Sequence, residues 1–307
     1  MTPTPPDPAH ESSTGPRPEV RLVGFVVHTG RPQAVEAAAS LSSWLAERGI
    51  ATRALEGSEV KADEVASPEH FPDGLDLVVS VGGDGTFLRA AHQAVRADCP
   101  ILGVNMGRMG FLTEVDAEGA AELLQQVVDG RAQIEERMAV VAHAEGTTWE
   151  KEQWALNEVM VEKGMRHRVV RLMVLMDDDY VTTFSGDGVI VASPTGSTGY
   201  SFSARGPIVS PSVDCLVVTP IAAHMVFDRA FVLGPNERVT IEVTGEEPGL
   251  FSADGLEALE LPVGARIHVR AADRPARLVR GHIETFYHRV RDRFQLPGNS
   301  SDVTPPL

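Results

Sequence analysis

The chain has 307 residues, 43% of them hydrophobic and 23% charged, and a formal net charge of -16. That length suits two ordinary globular domains, and the negative charge speaks against partners recognised through clustered Lys and Arg, so neither nucleic acid nor a membrane surface is expected as a partner. Met1 to Val20 lack the basic start and apolar core of a secretory signal, no apolar run reaches the roughly 18 residues of a membrane span, and Cys99 and Cys215 form no CxxC spacing, which together predict a cytoplasmic protein.

Residues 1–19 are polar and Pro-rich and predict a disordered tail. Arg21 to Val27 reads as a strand, Pro32 to Arg48 as a helix closed by Gly49, and Ile50 to Leu55 as a second β step. Leu75 to Val81 is an apolar strand running into glycines, with a helix over Phe87 to Arg96, a strand over Pro100 to Val104 and a helix over Ala117 to Asp129. Alternating strand and helix predict an α/β domain over 20–137, a Rossmann-like parallel sheet covered on both faces. After Arg137 helical periodicity fades. Short β-type runs follow at Met138 to His143, Trp154 to Glu162, Val169 to Met176, Val189 to Ala192, Cys215 to Val218, Val239 to Val243 and Arg266 to Arg270. They predict a mainly β domain over 138–278. Residues 279–295, with apolar Phe286, Tyr287, Val290 and Phe294, are expected to pack back on the first domain, and 296–307 form a second tail.

Gly82-Gly83-Asp84-Gly85-Thr86 joins a buried strand to a helix, so backbone N–H groups collect at a helix N-terminus where phosphate binds. The glycines Gly82, Gly83 and Gly85 let a ligand approach the backbone closely. Asp84 is out of keeping with a plain phosphate cradle. A carboxylate there suits a loop that takes a proton from a hydroxyl, binds that hydroxyl or holds Mg²⁺; the plain alternative is a tight turn capped by Asp84 or Thr86. No Lys follows, and the spacing is not G-x-G-x-x-G, so the two commonest nucleotide loops are excluded.

A second loop, Pro194 to Ser201, packs four hydroxyl residues and two glycines into eight positions and could meet sugar and phosphate oxygens or form a simple turn. Gly186-Asp187-Gly188 frees another carboxylate between glycines. Asn157-Glu158 interrupts an apolar run, so two polar side chains face opposite sides of one expected strand; they suit an adenine edge and a ribose diol, or strand-end solvation. Gly103 to Leu112 breaks a strand with Asn105 and Arg108 as its polar content. The ten histidines have no paired metal-ligand spacing, so no built-in metal site is expected; His224 reads as a structural histidine and Asp177-Asp178-Asp179 as a solvated turn.

Taken in order, Gly82 to Leu88, Gly103 to Leu112, Leu156-Asn157-Glu158 and Asp187 to Pro207 resemble the NAD kinase family over about residues 20–290. The resemblance implies a two-domain kinase with its site in the interdomain cleft, transferring a phosphoryl group from ATP or polyphosphate to the 2'-hydroxyl of the adenosine ribose of NAD. It further implies Mg²⁺ carried with the nucleotide and a homo-oligomer, dimer or tetramer, that borrows residues across a subunit interface. By matching position Asp84 is the proton acceptor, and Gly85, Arg89, Asn157, Glu158, Arg168, Asp187, Ala222 and the stretch Thr198, Gly199, Tyr200, Ser201, Phe202 and Ser203 are NAD contacts. Three positions depart from the family pattern: Gly199 replaces an alanine, Arg205 the first of two glycines before Pro207, and Leu256 a glutamine after Asp254-Gly255. The alternatives are a lipid kinase with the same glycine loop, disfavoured by the negative charge, and a nucleotide sensor, disfavoured by retention of Asp84.

Overall fold

A computed structural model describes residues 20–149, 151–223, 229–281 and 285–297. The tail over 1–19, residues 298–307 of the tail expected over 296–307, and the expectation for His224 lie outside the described residues.

The first unit runs β1 (Leu22–Val27), α1 (Pro32–Ala46), β2 (Ala51–Leu55), β3 (Glu64–Ala66), β4 (Leu77–Gly82), α2 (Asp84–Ala97), β5 (Ile101–Asn105), β6 (Val115–Asp116), α3 (Ala120–Val128) and β7 (Gln133–Arg137). The second carries β8 (Val140–Glu145), β9 (Gln153–Ala155), β10 (Glu158–Lys163), β11 (Val170–Met176), β12 (Asp179–Gly186), β13 (Gly188–Ala192), a 3₁₀ turn over Thr195–Thr198 and α4 (Tyr200–Ser203). It continues with β14 (Leu216–Ile221), β15 (Phe231–Leu233), β16 (Val239–Val243), β17 (Gly249–Ala253), β18 (Ala258–Leu261) and β19 (Arg266–Ala271). The chain then returns to the first sheet as β20 (Ala276–Arg280) and ends in α5 (Phe286–Phe294).

Strands β1 and β4 are apolar on both sides because helices cover both faces of their sheet. Its order is β3-β2-β1-β4-β5-β20-β7, parallel except where β20 meets β7, with β6 also on β5. One face buries α1 and α3; the other buries Phe87, Ala90, Ala91 and Ala94, spaced i, i+3, i+4 and i+7 along α2. In the second unit two six-stranded sheets, β15-β14-β13-β10-β17-β18 and β12-β11-β16-β19-β8-β9, pack face to face around one apolar core. Their pairings are antiparallel, and the alternating side chains of both inner faces fill the space between them.

The fold class is the expected one, an α/β unit with a mainly β unit after it; strands β3, β6, β7, β15, β17 and β18 add to the expected runs, and further details differ from the sequence reading. Helix α2 begins at Asp84, not Phe87, so the acid stands inside the first helical turn. The single strand expected over Trp154 to Glu162 is two strands belonging to different sheets, broken at Leu156 and Asn157. Strand β12 was not expected, because its mixed polar sequence lacks clean alternation; the turn at Asp177 (φ 48) and Asp178 (φ 70) folds it onto β11. Residues 276–278, expected to close the β domain, open β20 in the first sheet.

Helix α5 is fastened by a buried guanidinium. Arg289 donates to the carbonyls of Phe111 (3.3 Å) and Thr113 (2.7 Å) and pairs with Glu114 at 2.8 Å. Glu114 also pairs with Arg280 at 2.5 Å and accepts the N–H of Gly281. Removing one partner of a buried ion pair leaves the other charge desolvated and costs about 3 kcal/mol or more. Arg289→Ala is therefore expected to lower stability by about 3 kcal/mol, read from the urea unfolding midpoint; an unchanged midpoint would remove Arg289 from that role.

Candidate active site

Asp84 occupies the first position of α2, after Gly83 in extended conformation, and the first N–H groups of the helix have no acceptor within it. Its carboxylate accepts the N–H of Phe111 (3.0 Å) and of Leu112 (3.2 Å) from the loop after β5. Gly110 makes that approach possible, since any Cβ there would overlap the Asp84 carboxylate. Arg289 holds the same loop from behind through the Phe111 and Thr113 carbonyls. Thr86 is buried and packs against Gly82, leaving Gly85 exposed at the helix tip. Arg89 is exposed one turn further along and forms no ion pair among the described residues.

The corner between β9 and β10 supplies Asn157 and Glu158. Leu156 is fully buried among Phe87, Ala90 and Leu112, so the corner is plugged into the core beneath α2. Asn157 Oδ1 and Glu158 Oε2 are buried and have no hydrogen-bond partner, which is a costly state for polar atoms unless a ligand completes them. Burial, reinforced by the nearby Asp254 charge and partly offset by the Tyr200 N–H, pushes the Glu158 carboxyl up to about 8.

The hydroxyl-rich loop is more closed than the sequence implied. Ser197 Oγ donates to the carbonyl of Pro194 (2.6 Å), Ser193 Oγ to that of Leu156 (2.5 Å), and Ser201, fully buried, shares a hydrogen bond with Thr219 (2.9 Å). These hydroxyls build the loop. Tyr200 and Phe202 are exposed, as is Ser203, and Thr198 is half-buried. At Gly199 a Cβ would lie 3.0 Å from Glu158 Oε2 and 3.3 Å from Asn157 Nδ2, so this departure from the family pattern widens the space beside the unpartnered Glu158 Oε2 and the Asn157 amide nitrogen. Arg205, the second departure, adopts the left-handed conformation at φ 70 that a glycine takes without strain. Leu256, the third, is exposed, and nothing in the structure explains it.

Aromatic packing draws the segments together across the units. The Phe202 and Phe294 ring centroids are 4.4 Å apart, and Phe111 lies 6.0 Å from Phe294 and 6.2 Å from Phe286. These contacts join the loop that Asp84 holds to the 198–203 segment, whose Gly199 lies against Glu158 Oε2 and Asn157 Nδ2. The remaining expected contacts do not join them. Glu158 pairs with Ala192 and Glu162 with Gly188, and Lys163 bonds the Asp187 carbonyl, so Asp187 stands at the far end of β10 and β13, about 17 Å away at roughly 3.4 Å per residue. There Asp187 pairs with Lys163 at 2.5 Å, Ala222 follows β14, and exposed Arg168 pairs with Glu247 at 3.4 Å. Two features escaped the sequence reading: Asp254, read only as part of a family motif, and a cavity behind the Gly110 loop lined by Arg108, Met109, Gly110, Arg289, Asp292 and Arg293. Neither has a local sequence signal.

An α/β unit with a glycine loop that ends in an acid, joined to a β-sandwich that carries a buried, unpartnered amide and carboxyl, defines a two-domain nucleotide kinase. Models of the ATP-NAD kinase N-terminal and C-terminal domains match residues 23–132 and 156–281. NAD kinase 2 of Streptomyces avermitilis is 39% identical over 288 residues, 90% of this chain and 95% of that one. The NAD kinase of Mycolicibacterium paratuberculosis is 39% identical over 304 residues, 91% and 97% of the two chains. A yeast NADH kinase complexed with NADH shares the fold (TM-score 0.84, 22% identity, 94% of this chain and 91% of that one). An Archaeoglobus fulgidus NAD kinase in complex with ATP matches at TM-score 0.67 and 25% identity, covering 90% and 97%. The chain belongs to the NAD kinase family and is a kinase that acts on NAD.

The Glu158 shift has a measurable consequence. Its carboxyl ionises near 4.5 when unfolded and at about 8 when folded, so between these values the folded state holds the extra proton. The stabilising contribution is complete below about 4.5 and is lost as pH rises through about 8. Glu158→Gln is expected to flatten the decline in thermal midpoint between about pH 5 and 9; parallel wild-type and variant curves would refute the shift.

Proposed function

We propose that Asp84 takes the proton of the adenosine 2'-hydroxyl of NAD as that oxygen attacks the terminal phosphorus of ATP or polyphosphate, releasing the shortened donor and NADP. The unpartnered Asn157 Oδ1 and Glu158 Oε2 carry this reading: a buried amide oxygen and a buried carboxyl without partners match the hydroxyls of a ribose and the amino group of an adenine. Gly85 and the first amides of α2 meet phosphate, and Arg89, Thr198, Gly199, Tyr200, Phe202 and Ser203 line the dinucleotide, while the buried Ser201 supports them from within. Phosphoryl transfer depends on alignment and charge neutralisation, so an acid fixed by two backbone N–H groups is preorganised for it. On the other side of the Gly110 loop, Arg108 and Arg293 add positive charge within a chain that is otherwise strongly acidic, which suits a polyanionic donor.

Among the described residues no three His, Cys, Asp or Glu side chains gather as a metal cage, and the carboxylate oxygens of Asp84 keep lone pairs free toward the cleft. A divalent ion bound with the donor would neutralise its phosphates, with Asp84 the residue able to touch it. Asp187, about 17 Å from Glu158 along β10, and with it Arg168 and Ala222, are assigned to the NAD site of a neighbouring subunit in a dimer or tetramer. No described helix is long and apolar enough to cross a membrane, and both cysteines are buried and unpaired, which fits a cytoplasmic setting.

Asp84→Asn is expected to lower NADP formation by a factor of about 10² to 10⁴ with the circular dichroism spectrum unchanged; near-wild-type turnover would reject the proton-accepting role. The same assay run with ATP or polyphosphate, with and without Mg²⁺, identifies the donor. For the shared site, inactive Asp84→Asn and Asp187→Asn chains co-assembled by mixing are expected to regain part of the activity, because some interfaces then pair two intact halves. Absence of any regain in verified mixed oligomers would rule out sharing.

A further inference from the structure

One polar link between α2 and the β-sandwich has no part in the chemistry described above. Asp254 follows β17 at φ 51, and its carboxylate has no solvent exposure. Oδ2 accepts the N–H of Leu156 at 2.8 Å, while Oδ1 accepts those of Asn157 at 2.7 Å and Glu158 at 3.2 Å. Three consecutive amides at the β9–β10 corner therefore converge on one buried acid. The fourth partner comes from the other unit: His92 Nε2 lies 2.9 Å from Oδ2. A carboxylate only accepts, so Nε2 carries the proton and donates. The His92 ring is held edge-on by Trp154, with centroids 5.2 Å apart and planes at 89°.

His92 is eight residues after Asp84 on the same helix, about 12 Å along its axis at roughly 1.5 Å per residue. One rigid element therefore carries the proton acceptor at its tip and a donor to Asp254 along its side. Asp254 in turn sets the backbone of Asn157 and Glu158, the residues facing the dinucleotide. We propose that His92 is a positioning residue for the NAD kinase reaction: through Asp254 it fixes the distance between Asp84 on α2 and the Asn157-Glu158 corner of the β-sandwich. The four donors occupy the four lone-pair directions of the Asp254 carboxylate, so losing His92 leaves a buried acceptor short of one partner. Of the four donors to Asp254 only His92 comes from α2; beside it stand the edge-on Trp154 ring and the apolar core that Leu156 shares with Phe87 and Ala90, and apolar packing resists separation more than sliding. A shift of about 1 Å between reacting groups can cost about 10²-fold in rate, so the effect belongs on turnover.

The proposal rests on the NAD kinase assignment, and the test keeps the two apart: a wild-type chain that makes no NADP would overturn the assignment, whatever the variants do. With active wild type, His92→Leu is expected to lower kcat by about 10- to 100-fold while KM for NAD changes less than about threefold. His92→Gln, whose amide nitrogen reaches as Nε2 does, is expected to recover most of kcat. His92→Asn, one bond too short to reach, is expected to behave like the leucine variant and provides a second measurement if that variant fails to fold. Wild-type kcat in His92→Leu or His92→Asn, equal impairment of the glutamine variant, or a rise in KM in step with a fallen thermal midpoint would each overturn the positioning role.

Discussion

The site depends on one buried carboxylate, Asp254, accepting three successive backbone N–H groups from Leu156, Asn157 and Glu158. Residues at the break between two strands of different sheets have no ladder to satisfy their amides, and burial makes unsatisfied amides costly. Asp254 supplies the acceptors. Because it does so from the start of the β17–β18 turn, the corner that faces the dinucleotide is fixed by the sandwich itself. Its negative charge has a second effect, since it helps to keep the neighbouring Glu158 carboxyl protonated up to about 8. One residue thus fixes the shape of this corner and adds to the burial that keeps Glu158 protonated.

The opposite wall is built by a comparable economy of contacts. Asp84 holds the Gly110–Leu112 loop, Arg289 holds its other side, and α5 brings Arg289 there while lending Phe286 and Phe294 to the aromatic bridge that reaches Phe202. The C-terminal helix is consequently part of the scaffold of the proton acceptor, although it is distant from it in sequence. The buried arginines and glutamates behind it form a mixed ion network whose members depend on one another.

Much of this was legible in the sequence. Apolar strands β1 and β4 and the face of α2 have the periodicities of a covered parallel sheet and an amphipathic helix, and Gly82 to Thr86 carries its strand-to-helix character in five residues. The break at Leu156 was not legible, because Trp154 to Val161 is apolar enough to be one strand; only the competition between two sheets divides it. The hydroxyls of Ser197 and Ser201 read as available ligands and are instead bonded to Pro194 and Thr219, since composition does not say which way a hydroxyl points. Asp187 and Glu158 appeared as parts of one site, and the register of β10 with β13 separates them.

By itself the sequence determined the order of motifs, the class of each unit and the acid at the tip of a phosphate-type loop, because these are local: glycine content, side-chain period and neighbouring residue type decide them. Tertiary structure alone decided that Asp254 and His92 meet across 162 residues of chain, that α5 supports the Asp84 loop, and that Arg168, Asp187 and Ala222 stand apart from Asn157 and Glu158. Those relations come from strand register and from burial of polar groups that must find partners at a distance, and no short stretch of sequence contains both ends of such a bond.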